Sequence, residues 1–315
     1  MPFQTLKKDT AEELSLQWIM QVKNYKLKLD KNRCVRCQIC NLACPKEAIR
    51  IEKQIETLGE KTQKAKVDID LSKCNFCGIC DILCPYGAIT VTVDGKHLLS
   101  VLDKESFPQL IRDIKADAGK FPMDRDKSED VCPINLIKIQ YSTAEGKPVE
   151  DPCSLTESEK HALRVKVKVD KEHCPSCGIC EAKLPRGAMH VRRILSGKLA
   201  IKSENCPEGC TDCLDVCPIT GALILSEGDM KVHENEMFCV YCGACKIVCP
   251  VDEALDFKRT RVNHTPVRSG AWNKALERLT SPVDMTKELK AKRSLKARES
   301  VKKRMHARLK EEQNA

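Results

Sequence analysis

The chain has 315 residues, 21 of them cysteine, a formal net charge of +9 and an aromatic share of only 4%. Large rings are too few to fill a conventional core, so sulfur chemistry must hold part of the fold. No stretch has the apolar length of a membrane span, and there is no Gly-rich nucleotide loop, G-x-S-x-G or H-E-x-x-H, so phosphate-binding and hydrolytic chemistry have no carrier.

Residues 1–24, MPFQTLKKDTAEELSLQWIMQVKN, read as an N-terminal extension with Lys and Glu throughout and no apolar segment of the signal-peptide kind. The expected location is therefore cytoplasmic and reducing, where grouped thiols are metal ligands rather than disulfides. From Tyr25 onward a unit repeats. Cys34, Cys37, Cys40 and Cys44 read C-x2-C-x2-C-x3-C, followed by Pro45; Cys74, Cys77, Cys80 and Cys84 before Pro85, and Cys239, Cys242, Cys245 and Cys249 before Pro250, repeat that spacing. Cys206, Cys210, Cys213 and Cys217 before Pro218 have one extra residue after the first cysteine. YKLKLDKNRC, KVDIDLSKC, VKVKVDKEHC and LAIKSENC precede the cysteines, while KEAIRI, YGAITVTV and INLIKI follow Cys-Pro, and most of these alternate like short strands. The unit is strand, cysteine loop, Cys-Pro, short helical turn and strand, with the proline at the first position of the turn.

A four-cysteine zinc site uses two separated C-x2-C knuckles, whereas three thiolates at three-residue steps wrap one loop around a cuboidal cluster. This spacing resembles that of two-cluster ferredoxins, in which the fourth cysteine of each run ligates the other cluster. The resemblance implies five ligand sets, each a [4Fe-4S] site with iron as the metal: Cys34, Cys37, Cys40 and Cys84 (site 1); Cys74, Cys77, Cys80 and Cys44 (site 2); Cys174, Cys177, Cys180 and Cys132 (site 3); Cys206, Cys210, Cys213 and Cys249 (site 4); Cys239, Cys242, Cys245 and Cys217 (site 5).

Site 3 is irregular. Counting back from Cys132 by the motif spacing gives Ser128, Arg125 and Pro122, so that unit keeps only its fourth ligand; the next unit has Cys174, Cys177 and Cys180 but Leu184 before Pro185. In the crossed arrangement these two losses delete one whole site and leave the other complete. The alternative is a buried Cys132 beside a three-cysteine cluster. The 20 assigned cysteines leave Cys153 as a bystander in the linker DPCSLTESEK.

The expected fold class is α+β: tandem bacterial-type two-cluster ferredoxin modules of short hairpins and short helices at 25–95, 96–197 and 198–258, then a basic helical tail at 259–315. The middle module contains SFPQLIRDIKADAGK, which reads as a capped helix with Ser106 at the N-cap, Pro108 in the first turn and Gly119 at its end. From Lys258 onward 17 Lys and Arg stand against 6 Asp and Glu, a net of +11 that leaves the rest at −2. Val301, Met305 and Leu309 make a thin apolar stripe there, and Trp272 and Leu276 stand at helical spacing, which suits an arm that docks on a partner; no aromatic residues interleave the charges of DMTKELKAKRSLKARESVKKRMHARLKEEQ as in a nucleic-acid site.

Over about residues 25–258 the repeated motifs resemble the polyferredoxins of methanogenic and related archaea. TRVNHTPVRSGAWNKALERLT further resembles the C-terminal segment of the polyferredoxin subunit of tungsten- or molybdenum-dependent formylmethanofuran dehydrogenase, although that polyferredoxin carries more two-cluster modules than this chain. The resemblance implies a non-catalytic subunit relaying low-potential electrons to or from the catalytic subunits that interconvert carbon dioxide and a formyl group on methanofuran, with a ferredoxin or another electron donor as a further partner. A polyferredoxin of a hydrogenase or heterodisulfide reductase complex, a free soluble carrier, and a scaffold whose clusters serve folding alone are the other readings.

Overall fold

The computed structural model describes residues 4–52, 65–122, 128–149, 152–156, 159, 162–251 and 253–280. Alternation along each strand decides which side chains face inward. In Asn24–Asp30, Leu27 and Leu29 are buried while Lys28 faces outward, and the strand pairs antiparallel with Ile89–Val93, setting Leu27 opposite Val91 and Leu29 opposite Ile89. Between these two in sequence, Ile49–Glu52 pairs with Lys66–Ile69, Ile49 opposite Ile69.

The same nesting recurs twice more. Ile114–Ala116 pairs with Met189–Val191 around the inner pair Ile137–Ser142 and Arg164–Val169. Leu195–Ile201 pairs with Leu255–Val262 around Leu223–Leu225 and Val232–Glu234. In each case the first strand takes the last as its partner and the second takes the third, an arrangement of short strands and short helices that makes the fold mixed α+β. Among the described residues no helix is long and apolar enough to cross a membrane.

The N-terminal residues join the first sheet. Gln4–Asp9 and Glu13–Ile19 form a hairpin whose second strand lies beside Asn24–Asp30, with Thr10 Oγ1 accepting from the Glu13 backbone N–H at 3.0 Å across the turn. Leu14 and Leu16 are both fully buried, and Trp18 sits over Phe76 with ring centroids 5.0 Å apart.

Two expectations are corrected. The helix expected over SFPQLIRDIKADAGK is absent: Ile114–Ala116 is a strand and Ala118–Lys120 a 3-10 turn. Distant partners take its backbone groups, since Ile111 N–H donates to Asn263 O at 2.9 Å and Asp117 N–H to Ala188 O at 2.9 Å, while Ile114 is buried opposite Val191. Tertiary pairing has overridden the local cap signals, and the segment supplies the outer strand of the middle repeat. Asp117, not Ser106, does the capping, accepting from Gly119 N–H at 3.2 Å.

The second correction concerns the start of the tail. The last strand runs through Lys258 to Val262, and the helix Gly270–Thr280 buries Trp272, Ala275 and Leu279 against a core that includes Ile39, Ala43, Leu195 and Leu255. Trp272 is 1% exposed, stacked edge-on to Phe107 with centroids 6.0 Å apart. Trp272 therefore cannot serve a docking arm, because burying a ring of that size within the chain is itself a large stabilising term. Val301, Met305 and Leu309 lie outside the described residues, as do Arg125 and the Cys153 side chain; the Cys153 backbone falls in the 3-10 turn Pro152–Ser154.

Candidate metal centres

Each regular cysteine loop is shaped by two left-handed residues. They are Arg36 and Gln38 in the first loop, Phe76 and Gly78 in the second, Ser176 and Gly178 in the third, and Tyr241 and Gly243 in the last. Such a backbone turns consecutive N–H groups toward the inside of the loop, where they can meet an anion. Tyr241 N–H stands 3.4 Å from Cys239 Sγ, and backbone N–H groups of Phe76 and Ser176 favour the Cys74 and Cys174 thiolates. After Cys-Pro the chain folds back similarly: Ala48, Ala88 and Leu136 donate to the sulfurs of Cys44, Cys84 and Cys132 at 3.4, 3.2 and 3.3 Å. The loop with the extra residue has its left-handed position at Gly209 instead.

The folded chain brings the cysteines together across the runs. Cys44 lines one cavity with Cys74, Cys77 and Cys80; Cys84 lines another with Cys34, Cys37 and Cys40; Cys249 lines a third with Cys206, Cys210 and Cys213. Their empty volumes are about 380, 360 and 360 Å³. Cys132 is an electrostatic neighbour of Cys174, Cys177 and Cys180, and Cys217 of Cys239, Cys242 and Cys245.

Burial dominates the chemistry of these thiols. It pushes Cys74, Cys174 and Cys239 up to about 11, and Cys180, Cys213 and Cys217 up to about 12, with neighbouring thiolates adding to the rise. Thiols raised in this way hold their protons until a cation replaces them, so metal loading must release protons. The donor sets fit a body larger than an ion: among the described residues no three Cys, His, Asp or Glu side chains converge on a single-ion position, and the sulfurs instead surround apolar cavities. A cluster bound there would supply one-electron carriers.

The four positions without cysteine are packed where the structure describes them. Ser128 is fully buried with its hydroxyl 3.4 Å from Pro122 O, Tyr141 Oη donates to the same carbonyl at 3.0 Å, and Leu184 packs in a core with Phe121, Ile137 and Met189.

Three side chains at the junctions between loops escape a reading by motif. Arg112 donates to Cys84 O at 2.9 Å, Pro85 O at 3.0 Å and Cys174 O at 2.7 Å, tying the loop of site 1 to that of site 3. Arg259 does the same between Cys37 and Cys242, and Tyr86 is buried beside Cys242, Cys37 and Cys217. A core of Val35, Tyr86, Cys177, Ile179, Val216 and Cys242 joins all three loops. Of the three side chains, Tyr86 alone lies beside a cysteine run in sequence, two residues after Cys84; Arg112 stands 28 residues after that cysteine and Arg259 ten after Cys249.

Nested short strand pairs, loops of spaced thiols and inward N–H groups make cradles of the kind an iron–sulfur cluster occupies. Residues 33–88 match the family model of the 4Fe-4S dicluster domain. Among solved structures, a chain in the complex of formate dehydrogenase, heterodisulfide reductase and formylmethanofuran dehydrogenase from Methanospirillum hungatei (a dimeric, composite structure) is similar, with a TM-score of 0.74 and 27% identity over 88% of this chain and 91% of that one. No curated protein matches the chain.

Proposed function

We propose that this chain is a polyferredoxin-type electron-transfer subunit holding five [4Fe-4S] clusters, at sites 1 to 5, in three tandem modules. The observation that supports this reading is the crossing of thiols: Cys44, Cys84 and Cys249 each stand with the first three cysteines of the neighbouring run. The protein's part is to fix the sulfurs, aim backbone N–H groups at them and exclude water with the apolar side chains between loops, all of which tune a cluster's potential. Arg112, Arg259 and the shared core around Tyr86 bring the loops of sites 1, 3 and 5 together, so electrons have a protein-embedded route between modules.

The partner we favour is formylmethanofuran dehydrogenase, with the chain delivering or withdrawing electrons for carbon dioxide reduction. Two observations support it: the similarity, over most of both chains, to a chain of the Methanospirillum hungatei complex, and the resemblance of 260–280 to the C-terminal segment of that enzyme's polyferredoxin. The same complex contains heterodisulfide reductase, which makes a polyferredoxin of that enzyme the second reading. Residues 281–315 carry 11 Lys and Arg against 5 Asp and Glu and are the proposed docking arm, replacing the earlier start at 259. Anaerobic purification of the tagged full chain from its source cells tests the assignment. Co-elution with formylmethanofuran dehydrogenase subunits, and reoxidation of the dithionite-reduced chain when carbon dioxide and methanofuran are added, are expected. Elution alone as a monomer would leave a free soluble carrier.

A further inference from the structure

Arg259 stands in a basic run, Lys258-Arg259-Thr260-Arg261, that reads as solvated, yet it is 4% exposed. The cause is strand alternation. Leu255, Phe257 and Arg259 share the inward face of one strand, and only after Arg259, where Ser196 pairs with Arg261 and Thr260 is the extra residue, does a bulge pass the inward phase to Val262. Its guanidinium is spent on carbonyls: Nε donates to Tyr241 O at 2.8 Å, Nη1 to Leu279 O at 3.3 Å, and Nη2 to Cys37 O at 3.3 Å and to Cys242 O. Its charge centre lies 4.9 Å from the Phe257 ring centroid.

The surroundings are cleared for it. A Cβ on Gly243, at φ +85°, would come within 2.9 Å of Arg259 Nη2; one on Gly197 would meet Lys258 O at 2.3 Å, so that glycine serves the close approach of the paired strands. A buried cation is costly unless an anion answers it. Carbonyl dipoles solvate the guanidinium without neutralising it, and among the described residues the groups that act on its charge are the sulfurs of Cys37, Cys242 and Cys245. Cys37 belongs to site 1 and the other two to site 5. Tyr86, its hydroxyl buried beside Cys242, faces the same junction.

We propose that Arg259 is the shared counter-cation of sites 1 and 5, and that its fixed charge makes one-electron reduction of the clusters at both sites easier. This rests on the reading that both loops hold [4Fe-4S] clusters. Each four-thiolate cluster carries a formal charge of about −2 when oxidised and gains one more negative charge on reduction. A buried positive charge beside both therefore stabilises the reduced form of each, and the two potentials must move together. Arg259 is a positioning and potential-setting residue, and it ligates nothing.

The test is a dithionite titration of the anaerobically purified full chain, followed by EPR, on wild type, Arg259→Gln and Arg259→Lys, with iron counted in each. In Arg259→Gln two of the five one-electron transitions should shift to lower potential by at least tenfold in reduction equilibrium, about 59 mV per tenfold. The other three should stay, and Arg259→Lys should lie near wild type. If Arg259→Gln loses only the iron of two clusters while Arg259→Lys keeps all of it, a required cation is again supported. A fully loaded Arg259→Gln with unmoved potentials would overturn the inference alone, as would equal shifts in Arg259→Lys and Arg259→Gln. Wild type without iron at sites 1 and 5 would overturn the cluster assignment beneath it.

Discussion

The middle repeat has two halves built on one pairing of strands and filled in different ways. In one half Cys132 stands with Cys174, Cys177 and Cys180, and burial pushes the Cys174 thiol up to about 11 and that of Cys180 to about 12. In the other, Leu184, Phe121, Ile137 and Met189 close on one another and Ser128 is fully buried, its hydroxyl turned to Pro122 O. The backbone tolerates both because its strands are paired to each other and not through the metal: Ile114–Ala116 to Met189–Val191, and Ile137–Ser142 to Arg164–Val169. Apolar packing can therefore replace a cluster as filler. It cannot replace one as a redox centre, so on the proposed assignment the middle module is a half-conducting element between two full ones.

The largest expected effect comes from removing apolar support from a thiol-lined region. Truncation after Lys258 deletes Arg259, Val262, Trp272 and Leu279, all buried, and should yield insoluble protein or protein with less than half the wild-type iron; truncation after Thr280 should keep solubility and iron unchanged. Anaerobic expression followed by iron analysis distinguishes the two. Full iron in the shorter chain would mean that this helix and strand end are dispensable.

Cys132→Ala breaks the thiol half of the comparison. It should remove about 4 of about 20 iron atoms by emptying one four-iron site, while Cys153→Ala removes none. Equal losses from the two, or no loss from Cys132→Ala, would contradict the crossed ligand set.

Leu184→Ala breaks the filled half. Truncating this buried side chain should cost about 2–5 kcal/mol in unfolding free energy, read from a denaturant titration, with iron content retained. A loss of iron comparable to that of Cys132→Ala would show that the two halves are not independent.

The smallest effect belongs to an exposed contact. Lys7 Nζ meets Asp68 Oδ1 at 2.6 Å, tying the N-terminal hairpin to the first repeat and lowering the Asp68 carboxyl below its usual range. A depressed carboxyl stabilises the fold above its unfolded value of about 3.9, and that contribution is lost as pH falls through the folded value. Lys7→Met should raise the Asp68 value in an NMR titration and change stability at neutral pH by less than about 1 kcal/mol, because the pair is solvent-screened.

Alternating strands such as YKLKLD and INLIKI and the spacing of the cysteines made the repeated unit legible, because strand period and ligand spacing are local properties of the chain. The crossing of the fourth cysteines as ligands rests on a resemblance; in the structure Cys44, Cys84 and Cys249 each line a cavity with the first three cysteines of the neighbouring run. What stayed hidden was decided by distant partners. DIKA became a strand because Met189–Val191 offered an edge, and Arg259 faces inward because it continues the face of Leu255 and Phe257 in a strand that pairs with Leu195–Ile201. Leu14 and Leu16 carried an alternation signal in ELSLQWI, but their burial depends on the neighbouring strand Asn24–Asp30.

Iron and acid-labile sulfide counted on the same anaerobically purified full chain test the contrast between the two halves most directly. Four thiols at each of five sites predict about 20 of each per chain, with Ser128 and Leu184 marking a place that binds none. About 24 would mean that the filled half also holds a cluster, and about 16 that Cys132 does not complete one; either count would contradict the account.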